Sequence, residues 1–208
     1  MMVITSVERN KRNKEMLSVF VDEKYAFSIL EEDYYRLCLY EMKEISYGEI
    51  ESIKKDVTFR SAKSKAVKYL SFKLLSEMEL YGKLQTKGYD DDVITDVIIE
   101  LKAMGYINDM IYAQKFVYER LKLKPKSKKM LRLELKNKGI PEDIIEEVLD
   151  SFDYDEDVAI ERLVRKKFGK YDLDDPKIVK KLYSFLLYRG FDLENVKAVL
   201  NRIKTLDG

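Results

Sequence analysis

Histidine is absent from this sequence of 208 residues. Its absence removes the commonest general base of enzymes, the Ser-His-Asp and Cys-His arrangements, and nearly all zinc sites. Proline and glycine are scarce as well, with three and eight residues. Because these two residues mark turns and interrupt helices, their scarcity favours helices over sheets. The composition therefore predicts a mainly helical protein, and the missing histidine removes a catalytic residue from most enzyme mechanisms.

Cysteine occurs once, at Cys38, so no intramolecular disulfide can form. The apolar neighbours Leu37 and Leu39 predict a packed thiol and not a nucleophile. The sequence also lacks an apolar run of transmembrane length, and its start, MMVITSVERNKRNKE, lacks the apolar core of a secretory signal. These absences predict a cytoplasmic protein with no membrane partner.

The overall charge is close to zero, because 39 lysines and arginines accompany 38 aspartates and glutamates. Any affinity for nucleic acid must then come from local clustering of basic residues. Apolar residues make up 46% of the chain, which is enough to bury a substantial core.

A repeat with a period of 51 residues is the strongest pattern in the chain. It is marked by three glycines, each after a basic residue and before an apolar one: Gly88, Gly139 and Gly190. Leucines stand eight and four residues before each glycine, on one stripe of a helix: Leu80 and Leu84, Leu131 and Leu135, and Leu182 and Leu186. A second amphipathic pattern follows each glycine. Each glycine is therefore predicted to be the left-handed residue that closes a helix, a purely structural role.

Capping signals precede each leucine stripe. Ser76 and Glu79 form a capping box, and Ser127 occupies the equivalent place in the second repeat. The third repeat lacks the serine, but Asp175 puts a capping side chain before Pro176 at the first helical position. A further amphipathic stretch precedes each pair of helices, at residues 64–75, 109–123 and 157–168. Each repeat is thus predicted to be a three-helix unit.

These units are placed at residues 59–106, 107–153 and 154–208. A unit of about fifty residues buries little apolar surface by itself. We therefore expect the tandem three-helix repeats to stack into an elongated, curved array.

The N-terminal segment, residues 1–58, differs from the repeats. Alternating β-branched and aromatic positions predict short strands, the first with one face formed by Val3, Thr5 and Val7. Two later strands should form a small β-hairpin that turns over Asp22, Glu23 and Lys24. The second half returns to helical patterning, where Ser46 and Glu49 make another capping box.

Residues 66–140 resemble the central part of RecX proteins. The resemblance rests on a set of short motifs: Leu70-Ser71, Ser76 to Glu79, Lys87-Gly88-Tyr89, Gly105-Tyr106-Ile107-Asn108-Asp109, Tyr112-Ala113 and Phe116-Val117. With the third repeat and the N-terminal strands it covers nearly the whole chain. Asn108 departs from the aspartate that is common there, but asparagine caps a helix about as well, so we expect the cap to form.

The resemblance implies an accessory protein that binds the filament of the RecA recombinase and limits its growth or activity. Such a protein would tune recombination, DNA repair and the SOS response to DNA damage. The resemblance implies no catalysis and no cofactor. We expect a monomer.

The sharpest charge asymmetry lies between Arg120 and Lys138, where nine basic residues accompany one acid, Glu134. We predict that this run contacts a polyanion, either phosphates of single- or double-stranded DNA in the filament or acidic patches on the recombinase. Its candidate residues are Lys122, Lys124, Lys126, Lys128, Lys129, Arg132 and Lys136. A second cluster consists of Arg162, Arg165 and Lys166. A solvated face without a partner is the alternative for both clusters.

Two other functions stay open on the residues alone. The basic run would also suit a sequence-independent DNA-binding protein that has no recombinase partner. Asp90, Asp91 and Asp92 could bind Mg²⁺ in a nuclease. An acidic run at this place is, however, typical of a helix start, where negative charge complements the helix dipole.

Overall fold

The computed structural model describes residues 1–10 and 15–207. Within them the chain forms four β-strands and ten α-helices. It divides into two compact units, one of Met1–Lys73 with Leu80–Tyr106, the other of Leu74–Glu79 with the described residues from Ile107 onward. The predicted mainly helical fold with N-terminal strands is confirmed.

The N-terminal strands form one antiparallel sheet with the order β3-β2-β1-β4. The strands are β1 (Met2–Arg9), β2 (Met16–Val21), β3 (Lys24–Leu30) and β4 (Glu44–Ile45). The predicted hairpin is confirmed, since Val21 pairs with Lys24 and the two residues between them, Asp22 and Glu23, both have positive φ. Two successive left-handed residues match the twist of a two-residue hairpin, here without a glycine.

The face that β1 turns toward the core differs from the prediction. Val3 is 47% exposed, whereas Met2, Ile4 and Val7 pack against the core of the sheet. The register of β1 against β2 shifts between Ile4 and Ser6, where an extra residue forms a bulge. Because a bulge of one residue exchanges the two faces of a strand, the inward positions change there from even to odd numbers.

Cys38 lies between α1 (Glu31–Arg36) and a short 3-10 helix (Leu39–Glu41), and it is exposed. The prediction of a packed thiol is therefore wrong. The residue has a φ of 51°, so the chain bends sharply at this point. The bend directs Leu39, which is 2% exposed, into the core and leaves the thiol outside.

Nine helices follow in the described residues. They are α2 (Tyr47–Phe72), α3 (Glu77–Gln85), α4 (Asp91–Ala103), α5 (Asp109–Leu123), α6 (Lys128–Lys136), α7 (Glu142–Ser151), α8 (Glu156–Phe168), α9 (Pro176–Tyr188) and α10 (Leu193–Asp207). The predicted capping box of Ser46 and Glu49 opens α2. This helix is 26 residues long, so Thr58, the last residue of the predicted N-terminal segment, lies inside a continuous helix.

The predicted pattern of leucines, caps and glycines is confirmed in all three repeats. The stripe leucines are at most 1% exposed. Ser76 Oγ accepts a hydrogen bond from Glu79 N (3.2 Å), Ser127 Oγ from Met130 N (3.1 Å), and Asp175 Oδ1 from Lys177 N (2.8 Å). The φ angles of Gly88, Gly139 and Gly190 are 83°, 76° and 87°. In that left-handed region an L-residue with a Cβ atom is strained.

The capping serine of the first repeat contacts the glycine turn of the second. Ser76 Oγ donates to the carbonyl oxygen of Lys138 (2.7 Å), and Lys138 Nζ donates to Glu79 Oε1 (2.7 Å). A Cβ atom added to Gly139 would overlap the side chain of Met78. The glycine therefore serves as a close-approach point as well as a helix terminus.

A corresponding contact occurs one repeat later, with the backbone N–H of the serine as the donor. Ser127 N donates to the carbonyl oxygen of Arg189 (3.1 Å), and a Cβ atom on Gly190 would lie 2.5 Å from Ser127 Oγ and 2.7 Å from Met130 Cβ. At Gly88, by contrast, no described neighbour lies within 4 Å of the added Cβ position. The serine cap and the glycine turn are thus two halves of one repeat-to-repeat contact, in which the first glycine does not take part.

Glu79 joins this contact electrostatically. Burial acts to raise its pKa, but hydrogen bonds from Lys138 and from the Ser76 backbone outweigh burial and leave the pKa below the ordinary value of 4.5. Burial and the nearby Glu79 carboxylate raise the pKa of Tyr112. The negative charge of Glu79 is thus the form that the folded protein stabilises.

We predict that Glu79→Gln lowers the free energy of unfolding by about 1 kcal/mol near neutral pH, because a partly exposed charged hydrogen bond is lost. A carboxylate whose pKa is lower in the folded state stabilises fully above its unfolded pKa, and this contribution is lost as the pH falls through the folded pKa. The difference from wild type should therefore shrink below pH 4.5. Urea denaturation at several pH values measures it, with Glu147→Gln on an exposed face of α7 as the control. A difference that grew in acid would contradict the assignment.

Candidate partner-binding surface

The predicted basic run spans the end of α5, the connection to α6, and α6 itself. Pro125 follows the cap residue of α5, Lys124, and a residue before proline is disfavoured in a helix. Two residues later the Ser127 cap starts α6. The short connection therefore brings the lysines at the end of one helix next to those at the start of another.

Glu134, the only acid in the run, binds two of its basic residues. Its carboxylate accepts from Arg120 Nε at 3.0 Å and from Lys126 Nζ at 2.5 Å. The Lys126 side chain is only 20% exposed. Lys126 therefore connects the α5–α6 segment to α6 and is poorly placed to meet a partner.

Arg132 and Lys136 pair with the next helix. Arg132 contacts Glu142 and lies 3.4 Å from Glu146 Oε1, and Lys136 Nζ lies 2.7 Å from Glu142 Oε2. Hydrogen bonding to Glu146 and Glu142 raises the pKa of Arg132, while bonding to Lys136 and Arg132 lowers that of Glu142. Both cations connect α6 to α7, so their charge is partly neutralised.

Four candidate lysines remain unneutralised, and we call them the lysine surface: Lys122, Lys124, Lys128 and Lys129. No carboxylate of the described residues lies within ion-pair distance of their ammonium groups. Lys122 Nζ lies 5.7 Å from the ring centre of Tyr118, a tyrosine that is 56% exposed. Lys122, Lys124 and Lys129 are exposed, and Lys128 is half-buried.

The start of α6 places two of these cations where the helix itself does not favour them. Lys128 and Lys129 occupy its first turn, which contains no acid. Positive charge at a helix N-terminus is unfavourable by a few tenths of a kcal/mol, and Glu156 offsets part of this cost by accepting from Lys128 N (2.7 Å). Because Lys128 N and Met130 N already donate to Glu156 and Ser127, an anion arriving at this turn would meet mainly the side-chain ammonium groups.

The second predicted cluster is partly neutralised within the third repeat. Arg165 Nε donates to Glu161 Oε1 at 3.0 Å, while Arg162 and Lys166 are exposed on α8. A third cluster of basic residues, which the sequence analysis did not predict, lies on α9 and consists of Lys177, Lys180 and Lys181. Their spacing of three and four residues on a helix would have revealed them as one face.

Known proteins match the chain along nearly its whole length. Residues 2–46 match the regulatory protein RecX N-terminal domain, and residues 62–101, 108–149 and 155–200 match the first, second and third three-helix domains of RecX. A regulatory protein RecX of Clostridium tetani is 32% identical over 99% of this chain and 96% of its own length. A regulatory protein RecX of Clostridium botulinum is 36% identical over 95% of this chain and 94% of its own length. The chain belongs to the RecX family.

Solved RecX structures share the fold. A crystal structure of regulatory protein RecX superposes with a TM-score of 0.68 at 23% identity, covering 97% of this chain and 100% of the other. The crystal structure of RecX from Lactobacillus salivarius superposes with a TM-score of 0.57 at 23% identity, covering 71% of this chain and 97% of the other. At this identity the similarity concerns the fold alone.

Two features of the RecX domains bear on the sequence predictions. Asn108, the departure from the common RecX pattern, accepts from Ile111 N at 3.0 Å, so the expected cap forms. The predicted divisions after residues 58, 106 and 153 fall in the intervals between the RecX domain matches. They remain predictions.

The acidic run of the first RecX three-helix domain opens a helix. Asp90 is the N-cap residue of α4, and Asp91 and Asp92 lie in its first turn. Across residues 1–10 and 15–207, no three Cys, Asp or Glu side chains group as a metal site. In the same residues no helix has the length and apolar character needed to span a bilayer.

Proposed function

We propose that this chain is a non-enzymatic, cytoplasmic regulator that binds the RecA filament and lowers its ATP hydrolysis and recombination. The observation that carries the proposal is the match of all four RecX domains along one chain. Their resemblance to regulators of RecA implies the partner.

The lysine surface is our proposed contact with the filament. A RecA filament on single-stranded DNA presents phosphates, and four unneutralised cations offer a sequence-independent attraction to them. Lys126, Arg132 and Lys136, by contrast, already have acidic partners within the second repeat. Binding a partner through these three cations would break their ion pairs within the repeat. We therefore assign them a structural role.

Sedimentation tests the proposal directly. We expect far more of the purified chain to sediment with RecA filaments assembled on single-stranded DNA than with the same DNA when RecA is omitted. Raising the salt concentration should weaken the association, because counterion release contributes to it. Equal sedimentation with and without RecA would instead identify a DNA-binding protein that needs no recombinase.

A further inference from the structure

A lysine-walled groove of about 790 Å³ lies in the third repeat. It is formed by the end of α8, the segment that follows it, and α9. Its lining residues are Lys167, Phe168, Tyr171, Lys177, Ile178, Lys180, Lys181 and Ser184. None of the predicted binding residues lines it, and no acid does either.

The four lysines of the groove are exposed, and no described carboxylate pairs with them. The nearest acids along the chain, in residues 172–175, have other contacts. Asp172 accepts from Asp174 N, Asp174 accepts from Lys204 Nζ (2.6 Å), and Asp175 caps α9. Lys180 and Lys181 lie three and four residues after Lys177 on α9, so the Cβ atom of each lies about 5–6 Å from that of Lys177. Lys167, at the end of α8, lines the same groove. The groove therefore has a concentrated positive potential.

The floor of the groove is apolar and aromatic. Tyr171 is 57% exposed, and its ring centre lies 6.4 Å from that of the buried Phe168. Lys167 Nζ lies 3.8 Å from the ring centre of Phe185, which holds this lysine at the edge of the groove. More than half of the Tyr171 surface is thus accessible beside a row of cations.

We propose that this groove binds single-stranded nucleic acid, with phosphates on Lys167, Lys177, Lys180 and Lys181 and a base stacked on Tyr171. Positive grooves that carry an exposed aromatic ring suit single strands, whose bases are free to stack. A duplex keeps its bases stacked inside and would leave the apolar floor uncovered. The proposal does not depend on RecA, so its failure and that of the proposed function are separable.

Fluorescence polarisation of a labelled oligothymidylate of about 20 nucleotides tests the groove in the full chain. The four phosphate contacts of the groove contribute about −2.8 to the slope of log affinity against log salt, since each contributes about −0.7 on a single strand. The double variant Lys177→Ala/Lys181→Ala should make the slope less steep by about 1.4 and weaken binding roughly 50-fold at about 0.05 M salt. The matched control, Lys68→Ala/Lys197→Ala, removes two exposed lysines outside the groove and should bind like wild type.

Stacking is tested separately. Tyr171→Ala should weaken binding about fivefold or more, and Tyr171→Phe should not. Helical circular dichroism checks that each variant is folded. An oligouridylate probe of equal length shows whether a ribonucleotide strand binds as well. The proposal is overturned if neither probe binds, if the groove and control variants bind equally, or if oligoglutamate displaces the probe as well as unlabelled oligothymidylate does.

Discussion

Gly139→Ala should lower the free energy of unfolding by about 3 kcal/mol. About 1 kcal/mol of this comes from placing an L-residue at a φ of 76°. The rest comes from the new Cβ atom, which overlaps Met78 and forces the serine cap and the glycine turn apart. Urea denaturation followed by circular dichroism measures the loss.

Gly88→Ala is the matched control, because it has the same left-handed conformation and an open space around the added atom. Gly88→Ala should lower the free energy of unfolding only by the contribution of the left-handed conformation, about 1 kcal/mol. Gly190→Ala should resemble Gly139→Ala, since its Cβ atom would meet Ser127 and Met130. If all three variants lost the same stability, the glycines would be helix terminators only, and the repeat-to-repeat contact would contribute nothing.

Replacing the four residues of the lysine surface by glutamate should abolish most inhibition of RecA while the fold persists. Lys122, Lys124, Lys128 and Lys129 have no acidic partner among the described residues, and none occupies a core position. Reversing four charges changes the potential that the filament meets. We expect the concentration needed for half-inhibition of ATP hydrolysis on single-stranded DNA to rise at least about tenfold.

Lys126 is kept in this variant, because a glutamate there would face Glu134 and destabilise the α5–α6 connection. The matched control reverses four exposed lysines of the first unit: Lys65, Lys68, Lys73 and Lys87. It carries the same net charge and should inhibit like wild type. If the lysine-surface variant inhibited as well as this control, the surface would be only solvated, and the contact should be sought around Arg162 and Lys166.

The helical repeats could be predicted from the sequence because their signals are local. A left-handed glycine, a serine cap and leucines four residues apart each depend on neighbours within one or two turns. The positive φ angles and buried leucines confirm these signals. The bulge in β1 has no such local signal, because it depends on pairing with another strand. For this reason the prediction assigned the wrong residues at the start of β1 to the buried face.

The candidate surface could be predicted only in part, because the sequence shows where lysines are but not which acids approach them. Lys126 and Lys128 look alike in the chain. Lys126 is paired with Glu134 and Lys128 is not, although Lys128 is closer to this acid along the chain. Glu142, which neutralises Lys136, comes from the next helix. The pairing of charges is a tertiary property and needed the structure.

The measurement closest to the central claim is the rate of ATP hydrolysis by RecA on single-stranded DNA as the purified chain is added. A regulator that acts on the filament should slow hydrolysis when it is present at far fewer copies than RecA, and rising salt should relieve the effect. An unchanged rate even at equal concentrations, with the chain folded by circular dichroism, would contradict the proposed function.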